Sequence, residues 1–334
     1  MDCSSEMPEI AHNIRIPAQA GKYQIVKTIG KGGFAVVVLG INPQTKEKVA
    51  IKIVDRKFIT EQKVFLYLEN ELRLAARFNH PNIVKILDVI YEPDIIMVVM
   101  EYFQFGDLQT IIAKGVTFTI EEQTKICLGL LSALEYLHER GISHRDIKPE
   151  NILFDDCFRP KIIDFGLSKE NSSNMCTYCG TPLYMAPEVI TCQQYDGRLA
   201  DIWALGIVLH IISVGRFPWE FKTGCQFIKE VQDNRLQLEI MARGVLGEVI
   251  EKCLVINPQE RSTAKDLIEF INISEDSKRV THEQTYDGHS MTTTSLPHLK
   301  VRNNTPLIAK PRKFNEKCCG RINFFIRKHN IRSM

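Results

Sequence analysis

The chain has 334 residues, of which 44% are apolar, 25% charged and 8% aromatic, close to the averages of soluble globular domains and long enough for about two of them. That balance excludes collagen, a coiled coil and wholesale disorder. The formal net charge of +2 is unevenly spread: residues 271–334 hold 12 Lys and Arg against 5 Asp and Glu, net +7, which leaves the rest of the chain at net −5. A mildly acidic body carries a basic tail.

The 10 cysteines are scattered without the density of a disulfide scaffold, so a reducing compartment is expected: cytoplasmic, with a nuclear or peripheral membrane location as variants. The start, Met1-Asp2-Cys3-Ser4-Ser5-Glu6, has no apolar stretch, and Asp2 does not suit myristoylation. Neither a secretory leader nor an N-terminal lipid is expected. The longest nearly apolar run, Ile202 to Gly215, has 14 residues and includes His210. It falls short of the ~20 that cross a bilayer and reads as a buried helix. There is no internal repeat at solenoid or propeller periods.

In chain order, residues 1–22 form an N-terminal extension. Tyr23 to Ile29, Ala35 to Ile41 and Lys48 to Val54 alternate or run apolar with β-branched residues, separated by Gly30-Lys31-Gly32-Gly33 and Asn42-Pro43. They predict a meander of three antiparallel strands. From Gln62 to Phe78 the apolar residues recur at helical spacing, and the runs Ile83 to Val89 and Ile95 to Met100 complete a small sheet with one helix.

Downstream of Gly106 the period becomes that of a helix. Ile120 to Arg140 places Ile126, Leu130, Leu131, Leu134 and Leu137 on one face, with Gly141 as the stop. Leu199 to Val214, Val245 to Val255 and Thr263 to Phe270 are further helix candidates. Past Asn272 the composition turns to Ser, Thr, His and Lys, read as a flexible extension.

Several segments carry residues suited to chemistry. Gly30, Lys31, Gly32 and Gly33 join the first strand pair, and a glycine-rich loop lets backbone N–H groups approach phosphate oxygens; a simple turn is the plain alternative. Lys52 follows in Val49-Ala50-Ile51-Lys52, on a strand of apolar neighbours, and Glu71 on the next helix is a candidate partner, with Glu69 as its rival. Then come His144-Arg145-Asp146-Ile147-Lys148-Pro149-Glu150-Asn151, Asp164-Phe165-Gly166 and Ala186-Pro187-Glu188.

Six such segments in this order and at these distances resemble the signatures of the eukaryotic protein kinases, serine/threonine type, over about Tyr23 to Ile271. The resemblance implies an α+β, bilobal protein kinase fold. A small β-rich lobe would span about 23–102, a larger mainly helical lobe about 103–271, and a basic tail 272–334. The activity it implies is transfer of the γ-phosphoryl group of ATP to Ser/Thr hydroxyls of protein substrates, with Mg²⁺ as cofactor. Phosphoryl transfer asks for in-line geometry and positive charge more than for covalent help, which explains the residue types.

By that resemblance Asp146 orients or accepts the substrate hydroxyl proton, Lys148 neutralises the γ-phosphoryl group, and Asn151 and Asp164 hold the metal. Lys52, positioned by Glu71, holds the α- and β-phosphates. Val37, Ala50, Met100 and Leu153 match the adenine pocket, Glu101 and Phe103 the hinge, and ordinary core is the alternative for the four apolar side chains. Glu150 belongs with the nucleotide and substrate positions. Glu150 and Asp107 match acidic positions that favour basic residues upstream of the target, a preference weakened by Ile211. Ala35 stands where the family's loop has its third glycine, which implies a stiffer loop with ATP binding retained.

Arg145 before the catalytic aspartate resembles kinases whose activation segment is ordered by phosphorylation, and Thr177 best matches the family's activation-loop threonine. An upstream activating kinase is implied. Lys148 and Thr181 resemble the serine/threonine branch; Asp201 and Trp203 match the buried helix under the catalytic loop, and Arg261 the partner of Glu188. The set is most similar to the calcium/calmodulin-dependent kinase-like group. Two other readings stay open: a pseudokinase that binds partners without catalysis, and an adaptor tethered by its tail.

Cys176 and Cys179 have CxxC spacing but no second ligand pair at zinc-finger spacing. In the tail, Cys318-Cys319 with Phe324, Phe325 and Ile326 is open to several readings: a palmitoylated membrane contact, a calmodulin-binding or pseudosubstrate helix, or a disordered end. No nucleic-acid partner is expected.

Overall fold

The computed structural model describes residues 14–32, 35–61, 65–221, 223–283 and 300–301. The chain divides into two compact units, one of residues 1–104 with 163–166 and the other of residues 105–162 with 167–334.

The first unit is built on a six-stranded antiparallel sheet. Its strands are β1 (Gln19–Ala20), β2 (Tyr23–Lys31), β3 (Ala35–Ile41), β4 (Lys48–Asp55), β5 (Ile86–Tyr91) and β6 (Ile95–Glu101), in the order β1-β2-β3-β4-β6-β5. The helices α1 (Arg56–Glu61) and α2 (Phe65–Ala75) follow β4.

The register sorts side chains by face, since residues paired across antiparallel strands point the same way and neighbours along a strand point opposite ways. Val36, Val38, Val49, Ile51, Ile53, Met97 and Val99 make one cluster, closed over by Ala20, Tyr23 and Ile14. Ala35, Val54, Ile96 and Val98 make the other with Leu68 and Leu72 of α2. On that second face Val37 pairs with Lys52, and Ala50 with Met100.

The second unit begins with α3 (Leu108–Ala113), β7 (Val116–Thr117) and α4 (Ile120–His138). Thr119 and Glu122 cap α4 reciprocally, each side chain bonding the other's backbone N–H. Then come β8 (Ile142–Ser143), the hairpin of β9 (Ile152–Phe154) and β10 (Pro160–Ile162), and β11 (Lys169–Glu170), which pairs with β8. The helices α5 (Pro187–Thr191), α6 (Gly197–Val214), α7 (Gly224–Gln232), α8 (Gly244–Cys253) and α9 (Ala264–Glu283) complete the unit, and β12 (Lys300–Val301) pairs with β7.

Helix α6 is apolar all round and is therefore the core helix. Asp196 caps its start, and Gly215, at φ +85°, ends it. It is longer than the apolar run in the sequence, and by length and composition alone it would cross a membrane; 72% of it is buried inside the protein.

Several expected boundaries move. The helix expected over 62–78 begins at Phe65, residues 62–64 lying outside the described set, and is preceded by α1, which the periodicity did not indicate. That short helix is held by the Arg56 N–H donating to Asp94 O at 2.9 Å. The strand expected from Ile83 starts at Ile86, because the Ile83 N–H is drawn into a turn on His80 O. The last helix, expected over Thr263 to Phe270, runs to Glu283: no Gly or Pro interrupts Asn272 to Glu283, and polar residues by themselves do not end a helix. The rest of the tail, Lys300 and Val301 apart, lies outside the described residues, as do the extension to Asn13, Gly33 and Cys318-Cys319.

Candidate active site

In the first unit the Lys52 ammonium donates to both Glu71 carboxylate oxygens, at 3.0 and 2.7 Å, with side chains only 13% and 10% exposed. Glu71, not its rival Glu69, makes this pair; Glu69 is exposed. Burial works against the Lys52 charge, but Glu71 and Asp164 outweigh it and raise its pKa above that of an ordinary lysine. Lys52 is thus a buried cation held charged by two carboxylates.

Val37, Ala50 and Met100 share the sheet face of Lys52, by the pairings Val37 with Lys52 and Ala50 with Met100. Glu101 closes β6, where its carboxylate accepts the Lys85 N–H at 3.0 Å. Phe103 lies in the segment that follows. Gly30 and Lys31 are the last residues of β2, and the Gly32 N–H donates to Ala35 O at 2.8 Å.

Asp164 belongs to this unit, at φ +64°. Its Oδ1 accepts the Gly166 N–H at 3.3 Å, and Phe165, 1% exposed, packs on Phe78 with ring centroids 4.8 Å apart. The Asn70 side chain donates to Phe165 O at 3.4 Å. An exposed carboxylate is thereby fixed beside a buried ring.

In the second unit Asp146 is the centre of a compact polar cluster. Its Oδ2 accepts Lys148 Nζ at 2.6 Å and Asn151 Nδ2 at 3.0 Å, and its Oδ1 accepts the Thr181 hydroxyl at 2.8 Å. Lys148 Nζ also donates to Thr181 Oγ1 at 2.9 Å. Asn151 donates a second time, to Asp146 O at 2.8 Å, which turns its amide oxygen away from the aspartate. A carboxylate so held has one orientation, with a cation beside it.

The backbone under the cluster is fixed from α6. Asp201 Oδ2 accepts the His144 N–H at 2.8 Å, and its Oδ1 accepts the Arg145 N–H at 2.7 Å, with His138 Nε2 3.0 Å from Oδ2. Gly180, at φ +112°, has no room for a side chain, since a Cβ there would sit 2.9 Å from Arg145 O. Arg261, with Glu188, forms a fully buried pair at 2.6 and 2.9 Å.

Arg145 reaches the activation segment. Its Nη2 donates to Thr177 O at 3.0 Å and to Thr177 Oγ1 at 2.5 Å, and its Nη1 to Leu167 O at 3.4 Å. Glu150 is exposed beside Asn151, and Leu153 in β9 is partly buried. Asp107 is taken up in capping α3, its two oxygens accepting the Thr110 N–H at 2.7 Å and the Thr110 hydroxyl at 3.0 Å. Tyr195, which carried no motif, meets both Arg145 and Thr177; only its place beside the Asp196 cap of the apolar helix marked that loop.

No cluster of three or more His, Cys, Asp or Glu among the described residues is placed to hold a metal by itself. Asp164 in the first unit and Asn151 in the second each carry a hard oxygen donor, the type that suits Mg²⁺ better than zinc.

An antiparallel sheet with a buried Lys–Glu pair, a DFG turn, and an HRD loop resting on an apolar helix together define a protein kinase domain. The chain belongs to the protein kinase family: the sequence model of the protein kinase domain matches residues 23–286. The chain is 31% identical over 278 residues to CBL-interacting protein kinase 32 of Oryza sativa subsp. japonica, covering 82% of this chain and 64% of that one. It is 34% identical over 254 residues to CBL-interacting serine/threonine-protein kinase 12 of Arabidopsis thaliana, covering 75% and 52%. To the carbon catabolite-derepressing protein kinase of Candida tropicalis it is 33% identical over 259 residues, covering 77% and 42%. The match therefore spans less than two thirds of each of these relatives.

Proposed function

We propose that the chain is an active protein serine/threonine kinase that transfers the γ-phosphoryl group of ATP to Ser/Thr hydroxyls of protein substrates. The observation that carries this is the Asp146 cluster, in which a carboxylate is held by Lys148, Asn151 and Thr181 in one orientation. In the transfer, the hydroxyl oxygen forms a bond to the γ-phosphorus, the bond to the β,γ-bridging oxygen breaks, and ADP leaves. Asp146 orients the hydroxyl and takes its proton. Lys148 and Lys52 offset the negative charge that builds on the phosphate oxygens.

Asn151 and Asp164 would hold a divalent cation, Mg²⁺ in this reading, which supplies charge compensation on the phosphates. Val37, Ala50, Met100 and Leu153 would receive the adenine, with Glu101 and Phe103 at the hinge and Gly30, Lys31, Gly32 and Gly33 over the phosphates. The pseudokinase alternative loses support because Lys52, Asp146, Asn151 and Asp164 are all present and the first two are engaged in ion pairs with Glu71 and Lys148.

Phosphorylation of Thr177 by an upstream kinase, or by the chain itself, would raise activity: Arg145 already meets the Thr177 hydroxyl, and a phosphate there would pair with the guanidinium bidentately. A signalling role in the cytoplasm, with nuclear or peripheral membrane locations as variants, rests on the cysteine usage. Contact of the basic tail with calmodulin or an anionic membrane rests on its charge. Basic residues upstream of the target would be read by Glu150, with little help from the cap-bound Asp107.

Incubation of the purified chain with Mg²⁺ and ATP on a degenerate peptide array tests the reading. Phosphate on Ser and Thr peptides is expected. Silence across the array from both the unmodified chain and one carrying phosphothreonine at 177 would return the pseudokinase reading.

A further inference from the structure

Tyr195 is 7% exposed and sits in the loop ahead of α6, outside every motif. Its backbone forms a two-bond bridge with Met175: the Met175 N–H donates to Tyr195 O at 2.8 Å, and the Tyr195 N–H to Met175 O at 3.0 Å. A second tie lies next to it, the Gly197 N–H donating to Ser172 O at 2.8 Å. The activation segment is therefore fastened to this loop just before Thr177.

The ring then carries the hydroxyl to Thr177. Tyr195 donates to Thr177 O at 2.7 Å and accepts Arg145 Nη2 at 3.3 Å. Arg145 Nη2 is shared among Thr177 O, Thr177 Oγ1 and this hydroxyl. Burial pushes the Tyr195 phenol up, and Arg145 opposes that only in part, so the hydroxyl keeps its proton and remains a donor at neutral pH.

An unmodified Thr177 offers Arg145 only neutral acceptors. A phosphate would offer charged ones, turning ion–dipole hydrogen bonds into a bidentate ion pair. The Tyr195 hydroxyl thus adds a bond in the state where the arginine alone is weakest. Arg145 is also the backbone neighbour of Asp146 and is itself at φ +70°, so a shift of the segment is passed directly to the reacting carboxylate.

We propose that Tyr195 is a positioning residue that holds Thr177 against Arg145 while Thr177 is unmodified, sustaining turnover before phosphorylation and becoming dispensable after it. The inference rests on the reading of Thr177 as the regulatory threonine. The test uses the full chain in four forms: wild type and Tyr195→Phe, each with threonine or genetically encoded phosphothreonine at 177. Readouts are kcat, KM for ATP, and amide hydrogen exchange over residues 172–181.

With threonine at 177, Tyr195→Phe is expected to lower kcat at least about five-fold, the rate equivalent of the neutral hydrogen bond to Thr177 O alone, the longer bond from Arg145 being lost with it. KM for ATP should stay within about two-fold, as the nucleotide contacts are elsewhere, and exchange around Thr177 should quicken. With phosphothreonine the two chains should differ by less than about two-fold in kcat, because the charged bonds then suffice. Equal kcat in the two unmodified forms would overturn the proposal, and so would an equal loss in both pairs, which marks a merely structural role. If phosphothreonine leaves the wild-type rate unchanged, the regulatory reading of Thr177 fails. The unmodified pair then decides alone: slower turnover with quickened exchange upholds the positioning role, and unchanged turnover ends it.

Discussion

Thr181 donates its hydroxyl to Asp146 Oδ1 at 2.8 Å and accepts Lys148 Nζ at 2.9 Å, closing a ring with the 2.6 Å contact between that lysine and Asp146 Oδ2. One hydroxyl therefore sets the orientation of both charged groups. Thr181→Val keeps the shape and removes the bond; hydrogen bonds to charged groups contribute ~1.5–3 kcal/mol, so kcat should fall roughly 10- to 100-fold. Thr181→Ser should stay within a few-fold of wild type. Steady-state kinetics on a Ser/Thr peptide checks both, and a valine variant as fast as wild type would remove Thr181 from the cluster.

The buried pair of Arg261 with Glu188 predicts a stability effect. The two side chains are 0% and 3% exposed, and the arginine also donates to Val255 O and Leu199 O. Removing one partner leaves an uncompensated buried charge, at a cost of ~3–5 kcal/mol. Chemical denaturation of Arg261→Met and Glu188→Gln should show losses of that order that are far from additive in the double variant. Additive losses would mean that the two residues act separately.

His210 predicts a pH dependence. The Met241 N–H donates to its Nε2 at 3.3 Å, so its Nδ1 carries the proton and donates to Arg216 O at 2.8 Å. One neutral tautomer satisfies both contacts. Burial lowers its pKa from the ordinary 6.5, opposed by the bond to Arg216 O and by Glu239 and aided by the Arg216 charge. Because the folded value is depressed, the stability this site contributes is complete above pH 6.5 and is lost as the pH falls toward the folded value, where the native state also takes the proton. Denaturation midpoints measured from pH 7.5 to 5 should decline by at most about 1.4 kcal/mol per pH unit from this group, and His210→Gln should flatten that part of the slope. An unchanged slope in the variant would refute the tautomer assignment.

The capping box at α4 supplies a contrast. Thr119 is exposed and Glu122 half-buried, and they bond each other's backbone at 3.2 and 2.7 Å. Thr119→Ala should cost about 1 kcal/mol of stability and leave kcat and KM unaltered. A changed kcat would mean that the start of α4 communicates with the Asp146 cluster.

The motif residues were legible in the sequence because each has a fixed spacing. The sheet was legible from β-branched alternation, and α6 from its continuous apolar run. What stayed hidden depended on contacts distant in the chain. Tyr195 lies 18 residues from Thr177 and meets it only because Met175 and the Tyr195 backbone pair. The Asp107 carboxylate also caps α3 through Thr110, a local use that its motif position does not reveal. Helix α9 was cut short because its second half is polar, although polarity alone ends no helix.

In the proposed function, transfer of phosphate from ATP depends on Asp146, fixed by Lys148, Asn151 and Thr181. The most direct measurement is the rate of phosphate transfer from labelled ATP to an array-selected Ser/Thr peptide by the wild-type chain and by Asp146→Asn, at matched thermal stability. The account predicts incorporation by the wild type and a fall of about 10²- to 10⁴-fold in kcat for the variant, the range a positioned proton acceptor supplies, with ATP affinity kept within a few-fold. Equal rates for the two chains would contradict it.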